Sequence, residues 1–373
     1  MSAHAPTAER ELLAAAGNGD EAAFQRLVEP HRRELHAHCY RMLASVHDAE
    51  DALQEAMIRA WRGIGRFEGR SSLRGWLYKI ATNACLDAIG KRPKRVLPVD
   101  YGPASDPHDG PGEPVVESVW IEPYPDDELG LEDGYAAPDA RYEQRESVEL
   151  AFVAALQYLP PNQRAVLVLR EVLGFSAKEV AEALETTVAS VNSALQRARS
   201  AVEDRVPEHS QQETLRTLGD EKVRELVQSY VDAWAREDID EVVSMLAEDA
   251  TFSMPPLRSW YGGPEGGHEQ LKDFMKVGPL SGEWRWKPLH VRASGQEALG
   301  FYEWSEEEGA YIPFALNVLT FRGEKIAAVD CFATRSIESA DHAAYGRWPD
   351  EPMDPDRLDW FFLRFGLPAR LDD

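Results

Sequence analysis

In the stretch HDAEDALQEAMIRAWRGI the apolar residues Ala49, Leu53, Ala56, Met57, Ala60, Trp61 and Ile64 return every three or four positions. Asp48, Glu50, Asp51, Gln54 and Glu55 decorate the other side. This spacing predicts an amphipathic helix with an acidic N-terminal outer face. The run GWLYKIATNACLDAIGKR repeats the period, with Leu77, Ile80, Ala81, Ala84, Cys85, Ala88 and Ile89 expected inside and Lys79, Asn83, Asp87 and Lys91 outside. Between the two, FEGRSSLR reads as a polar loop, and four or so helices are expected over residues 9–95. Further on, Pro160 and Pro161 stop one helix and open another. Ser176 and Glu179 have the spacing of a capping box for a short helix reaching about Leu184. A turn at Glu185–Thr187 then leads into a longer helix with Val188, Val191, Leu195 and Ala198 as its buried stripe. Short helix, tight turn and second helix make a helix-turn-helix, with Ser190, Asn192, Ser193, Gln196, Arg197 and Arg199 facing outward as amides and cations able to read bases or hold phosphate.

From Asp220 the period changes. Two helices and a strand come first, a Gly-rich turn and a helix follow, and GEWRWKPLHVRAS, EALGFYEW, AYIPFALNVLTFRG and KIAAVDCFATR then alternate as strands. Helices followed by a curved antiparallel sheet predict an α+β cone with an internal pocket. At the C-terminal end Leu358, Phe361, Phe362 and Phe365 fall at helical spacing up to Gly366, so a short amphipathic helix is expected to dock on the third unit or on a preceding one.

Charge divides the chain further. The total is −25, from 40 Lys and Arg against 65 Asp and Glu, and evenly spread it would argue against a nucleic-acid partner. Between Arg62 and Arg95, however, nine basic residues face two acidic ones, whereas fourteen acids face two bases between Leu97 and Ser147. The acidic stretch is rich in Pro and Gly and reads as a linker rather than a packed element. The resulting map is a helical unit at 8–96, a linker at 97–146, the helix-turn-helix unit at 147–206, the cone at 218–336 and a tail at 337–373. Cys39, Cys85 and Cys331 fit neither a zinc pattern nor a disulfide framework. No metal or cofactor is called for. No apolar run is long enough to span a bilayer and no secretory signal is visible, so a cytoplasmic protein without a membrane partner is expected.

Aromatic residues beside a basic loop (Phe67, Trp76, Tyr78) suit single-stranded nucleic acid, because bases stack on rings while cations hold phosphate. The segments DAEDALQEAMIRAW, FEGRSSLRGWLYKIATNACLD and KRPKR resemble, in order and spacing, the promoter-melting domain of bacterial extracytoplasmic-function sigma factors. The resemblance implies that Asp48, Asp51, Gln54 and Glu55 grip the clamp of RNA polymerase. It also implies that Arg70, Ser71, Ser72, Trp76, Tyr78, Lys79 and Asn83 capture unstacked bases of the minus-ten element, with the basic end Lys91–Arg95, including Arg92, following the backbone. LPPNQRAVLVL, GFSAKEVAEAL and VASVNSALQRAR resemble the same family's minus-thirty-five domain, which implies DNA contacts from Ser176, Ser190, Asn192, Ser193, Gln196, Arg197 and Arg199 and a place near the polymerase flap. Two departures stand out: the turn carries Glu185 where the family usually has Gly, and Asn192 and Ala194 occupy positions commonly basic. The linker would enter the polymerase channel, mask the basic block or serve as a solvated spacer.

The third unit resembles the SnoaL-like branch of the nuclear-transport-factor-two-like superfamily, which includes enzymes and non-catalytic ligand binders. Trp234, Phe252, Trp260, Trp304 and Asp330 are the pocket candidates, possibilities being an unknown small ligand or simple core filling. A catalytic version would need a buried acid or base, for which Asp330, His290, Tyr261 and His268 are available. The leading expectation is a sigma factor regulated in cis by this domain, with no catalytic residue. The alternatives are an enzyme or ligand-binding domain carried on DNA-binding units, and a repressor that never meets polymerase.

Overall fold

The computed structural model describes residues 7–110, 112, 115, 119–129, 144–334 and 361–372. The chain forms two compact units, Met1–Lys94 with Glu128–Val206 and Arg95–Asp127 with Pro207–Asp373.

In the first unit five helices, one more than the periodicity suggested, precede the linker: α1 (Thr7–Gly17), α2 (Glu21–Val28), α3 (Arg32–Leu43), α4 (Val46–Gly63) and α5 (Leu73–Ile89). Side chains close their open N-terminal amides: Ser45 accepts from Asp48 N at 3.0 Å and Ser72 from Gly75 N at 3.1 Å. Leu35, Cys39, Met42, Ala49, Leu53, Ala56, Leu77, Ala81 and Cys85 form the core. The buried stripe of α5 is rotated from the predicted one. Tyr78 and Thr82 lie inside, while Ile80, Ala88 and Ile89 are only half-buried. The polar atoms are paid for by partners, Thr82 Oγ1 meeting His38 Nε2 at 2.9 Å and the Tyr78 hydroxyl donating to Glu34 at 3.1 Å.

After the linker come α7 (Leu150–Gln157), α8 (Pro161–Leu167), α9 (Ala177–Ala183) and α10 (Val188–Glu203); the short α6 of the linker (Pro98–Tyr101) belongs to the second unit. Ser176 and Glu179 form the expected reciprocal capping box. The turn to α10 is made with Glu185 at φ 53°, so a non-glycine residue holds the left-handed conformation. The buried Arg164 ties this half to the first: it donates to the Met42 carbonyl at the end of α3 and to Gln157 Oε1 at 2.6 Å. Burial lowers its pKa to about 10, which leaves it charged at neutral pH.

The second unit is built on a six-stranded sheet of order β2-β1-β6-β5-β4-β3: β1 (Leu246–Ser253), β2 (Trp260–Gly262), β3 (Trp286–Ala293), β4 (Gln296–Ser305), β5 (Ala310–Arg322) and β6 (Lys325–Ala333). Its β1–β6 pair is parallel, so the sheet is mixed rather than wholly antiparallel as predicted; helices intervene between β1 and the later strands, which frees β1 to run alongside β6. Helices α11 (Gln211–Leu218), α12 (Asp220–Ala235), α13 (Ile239–Ser244) and α14 (Gly263–Val277) complete the unit. Gly262 starts α14 at φ 85°, where a Cβ would stand 2.2 Å from the Ala250 carbonyl oxygen.

Two segments differ from expectation or extend it. Of the linker expected at 97–146, the part up to Asp127 is built into the second unit, together with Arg95 and Val96 of the expected first unit. Ser105 N donates to the Trp260 carbonyl, Val115 N to Pro256 and Ser294 N to Tyr124, and Asp126 Oδ1 accepts from Gly295 N. The apolar residues scattered among the acids explain it: Trp120, Ile121 and Tyr124 are fully buried. Residues 130–143 of the expected linker lie outside the described residues. At the C-terminal end Phe362, Phe365 and Leu367 are buried, with the Phe362 ring 5.1 Å from that of Tyr302 and the Tyr302 hydroxyl donating to Pro368 O at 2.7 Å. Leu358, the first apolar position predicted for that helix, lies outside the described residues.

Candidate functional site

On α4, Asp51, Gln54 and Glu55 are exposed, and Ile58, 41% exposed, extends the stripe by one turn. Asp48 is a correction: it sits in the first turn, is buried, and is ion-paired with Arg92. One salt bridge therefore joins a residue predicted to meet polymerase to one predicted to meet DNA, because a carboxylate taken out of water needs a cation.

The predicted minus-ten residues are partly brought together. Ser72 caps α5, Ser71 and Trp76 lie beside it half-buried, and the Trp76 ring packs 5.1 Å from that of Phe67. Arg70 is exposed and pairs with Glu68 at 2.5 Å. Lys79 pairs with Glu185 of the helix-turn-helix at 3.0 Å, and Asn83 is half-buried. Tyr78 departs from expectation: with the two halves together it is 1% exposed. Its ring stands 5.2 Å from Phe175, and burial, with Glu34 beside it, raises its hydroxyl pKa. Burial alone would raise the Glu34 pKa, but His31 and Arg74 hold its carboxyl below the usual range. The Arg74 guanidinium lies over the Tyr78 and Phe175 rings at 4.8 and 5.1 Å. The result is a groove of about 630 Å³ with Arg70, Ser72, Trp76 and Lys79 on one wall and Phe175, Glu179 and Glu182 on the other. Lys91 is exposed, whereas Arg95 is buried in the second unit, donating to Trp120 O at 2.7 Å.

On α10 the predicted readers Ser190, Asn192, Ser193, Gln196, Arg197 and Arg199 are all exposed, as Ser176 is at the start of α9. Arg199 pairs with Glu171 at 2.8 Å. Val188 differs from the predicted buried stripe, being 43% exposed at the first position of the helix.

The second unit encloses a cavity of about 310 Å³. Trp234 and Phe252 line it, together with Phe274, Trp284, Trp286, Phe301 and Phe314. Three candidates are elsewhere. Trp260 is turned to the linker and donates to Gly102 O at 2.9 Å. Trp304 pairs with Tyr311 and donates to Glu306 at 2.8 Å. Asp330 alternates with Cys331, which lines the cavity, and so points to the opposite face, where it accepts from Ser253 Oγ at 2.7 Å. Burial raises its pKa to about 6, and Asp100 adds to the rise. Of the other three possible acids or bases, His290 pairs with Glu297, His268 faces the Ala247 carbonyl at 3.0 Å, and Tyr261 lines the cavity stacked on Phe274. The single-sequence pattern missed Asn317, whose lone amide in the apolar run of β5 was the available signal, and the linker residues Pro107 and Gly110, which also line the cavity. Among the described residues no group of three His, Cys, Asp or Glu side chains could hold a metal ion. No described helix is long and apolar enough to cross a membrane.

Helical modules ending in a helix-turn-helix, followed by a cone with an aromatic cavity, define a multidomain protein of the DNA-binding class with an α+β C-terminal domain. The sequence matches the models Sigma-70 region 2 over residues 27–95, Sigma-70, region 4 over 149–202 and SnoaL-like domain over 227–329. It is 41% identical to the ECF RNA polymerase sigma factor SigG of Mycobacterium tuberculosis, over 84% of this chain and 82% of that one. It is 31% identical to the ECF RNA polymerase sigma factor SigW of Bacillus subtilis, over 49% of this chain and 89% of that one. The crystal structure of the M. tuberculosis extracytoplasmic function sigma factor SigJ aligns with 81% of this chain and 93% of its own, at 22% identity and a TM-score of 0.49. The chain belongs to the ECF RNA polymerase sigma factors and carries a C-terminal SnoaL-like domain.

Proposed function

We propose that this sigma factor binds core RNA polymerase through the exposed stripe Asp51, Gln54 and Glu55 of α4, against the clamp, and through its helix-turn-helix unit near the flap. Arg70, Ser71, Ser72, Trp76, Lys79, Asn83 and Lys91 then engage the opened minus-ten strand. Ser176 and the exposed face of α10 engage the minus-thirty-five element in the major groove. The observation that carries this reading is the exposed set Ser190, Asn192, Ser193, Gln196, Arg197 and Arg199 on α10 beside a capped, tightly turned α9. In the first unit the minus-ten wall faces α9 across the groove and is held by the Lys79–Glu185 pair, so promoter engagement requires the two halves to separate. The second unit regulates this step in cis. The protein works in the cytoplasm, where its template is.

The enzyme reading is weakened because Asp330, His290 and His268 do not line the cavity, which leaves Tyr261 without any of them as an acid-base partner there. Run-off transcription with core polymerase and the full chain tests the proposal. Specific initiation is expected, with Asp51→Lys and Gln54→Ala abolishing holoenzyme formation while leaving binding to duplex promoter DNA. A repressor would bind duplex promoter DNA in every variant and form holoenzyme in none, and failure of the wild-type chain to form holoenzyme would overturn the reading.

A further inference from the structure

Two neighbouring helices of the first unit carry different duties: α4 holds the stripe that meets polymerase, and α5 holds the minus-ten wall. They run antiparallel, and three contacts fix one against the other. Near the C-terminal end of α4, Gly63 lies against the Trp76 ring of α5, where a Cβ would stand 3.3 Å from Cζ2. Further along, Arg59 of α4 donates to Asp87 Oδ2 of α5 at 2.8 Å and to Glu55 Oε1 of its own helix at 2.7 Å. At the opposite end Arg92, just beyond α5, pairs with Asp48 in the first turn of α4. The two ionic ties differ in burial. Glu55 and Asp87 are 47% and 59% exposed, and a pair of that kind holds weakly because water serves either ion nearly as well. The Asp48 side chain is 4% exposed, so its charge depends on Arg92, and removing the cation alone strands a carboxylate in the core.

We propose that Arg92 is a positioning residue for promoter opening: through the buried Asp48 it sets the DNA-facing α5 against the polymerase-facing α4, and it does not serve as a phosphate contact. The role rests on the sigma-factor reading of these two helices. Trp76, Lys79 and Asn83 stand three and four residues apart on one face of α5, so a shift of that helix displaces all three together relative to whatever holds α4. Strand capture by stacking and hydrogen bonding tolerates little such displacement. Lys91, exposed and next in the chain, is left as the backbone contact. The guanidinium of Arg92 is committed inward because the carboxylate it serves has little access to water.

The test compares Arg92→Gln, the double variant Asp48→Asn with Arg92→Gln, and Lys91→Gln in the full chain with core polymerase, on a promoter fragment selected from a genomic library by run-off transcription. Core affinity, the salt dependence of promoter binding and the permanganate reactivity of promoter thymines are read for each, below the thermal melt of every variant. Arg92→Gln is expected to open the promoter about tenfold less per holoenzyme, with core affinity and salt slope as in wild type. The double variant is expected to recover opening to within about twofold, because removing both charges leaves no stranded carboxylate. Lys91→Gln calibrates the slope, which is expected to fall by about one. A double variant as defective as Arg92→Gln overturns the proposal, and a slope lowered by about one in both identifies Arg92 as a phosphate contact. Undiminished opening by Arg92→Gln overturns it as well, leaving the pair a matter of stability alone. Should Arg92→Gln melt too low to assay, the double variant decides, since a lost phosphate contact would persist in it. In each of these outcomes wild-type holoenzyme still opens the promoter; its failure to form would instead overturn the sigma-factor reading and this role with it.

Discussion

The two faces of the C-terminal sheet are made from the same strands and do opposite things. The cavity face carries Phe252, Phe301, Asn317 and Cys331 and keeps a space open among them. The opposite face, one residue out of step, carries Gly300, Tyr302 and Asp330, and it is covered by the chain itself. Gly300 is the clearest sign: a Cβ there would stand 2.4 Å from Leu367 of the tail, so the absent side chain is where the tail lies. A period of two decides between a face that keeps a cavity open and one on which the C-terminal tail lies. Asp330, an appealing acid by composition, falls on the second kind.

The contrast can be broken from either side. Phe362→Ala removes a fully buried ring from the covered face and is expected to cost about 3 kcal/mol of tail docking, read as lost hydrogen-exchange protection in residues 361–372. Gly300→Leu should give the same loss without altering the tail.

Asp330→Asn is expected to act next in size, with a pH signature. The buried carboxyl has its pKa raised from 3.8 to about 6, so folding favours its protonated form, and the carboxylate is a liability above about pH 6. The variant is therefore expected to be more stable than wild type by about 2–3 kcal/mol at pH 7.5, with the difference fading as pH falls from about 6 towards 4. Denaturant melts across that range check both size and sign. The smallest effect belongs to the cavity face. Asn317→Leu relieves an unpaired buried oxygen and is expected to stabilise the empty protein by about 1 kcal/mol, in the same melts.

Much of the helical part was legible because its signals are local. The Ser176–Glu179 capping box, the turn at Glu185 and the outward face of α10 are written within a few residues of each other, and a helix repeats them at fixed spacing. What failed was long-range. Nothing near Asp48 announces that Arg92, forty-four residues away, neutralises it, and nothing near Tyr78 announces Glu34. In the cone, alternation predicts the strands but not which parity faces the cavity, so Phe252 falls on the lining face whereas Trp260, Trp304 and Asp330 do not; Trp234 reaches it from a helix. The inter-module segment misled for another reason. Its average composition is that of a solvated chain, yet a handful of residues, Trp120 and Tyr124 above all, decide its fate by burial.

Because residues 95–127 belong to the same body as residues 207–373, the polypeptide passes from one body to the other three times. Neither can be released by a single scission. Trimming the chain after Val206 deletes the cone while leaving behind the strip that was moulded to it, with Trp120, Ile121 and Tyr124 newly wetted. Such a fragment would be sticky rather than minimal.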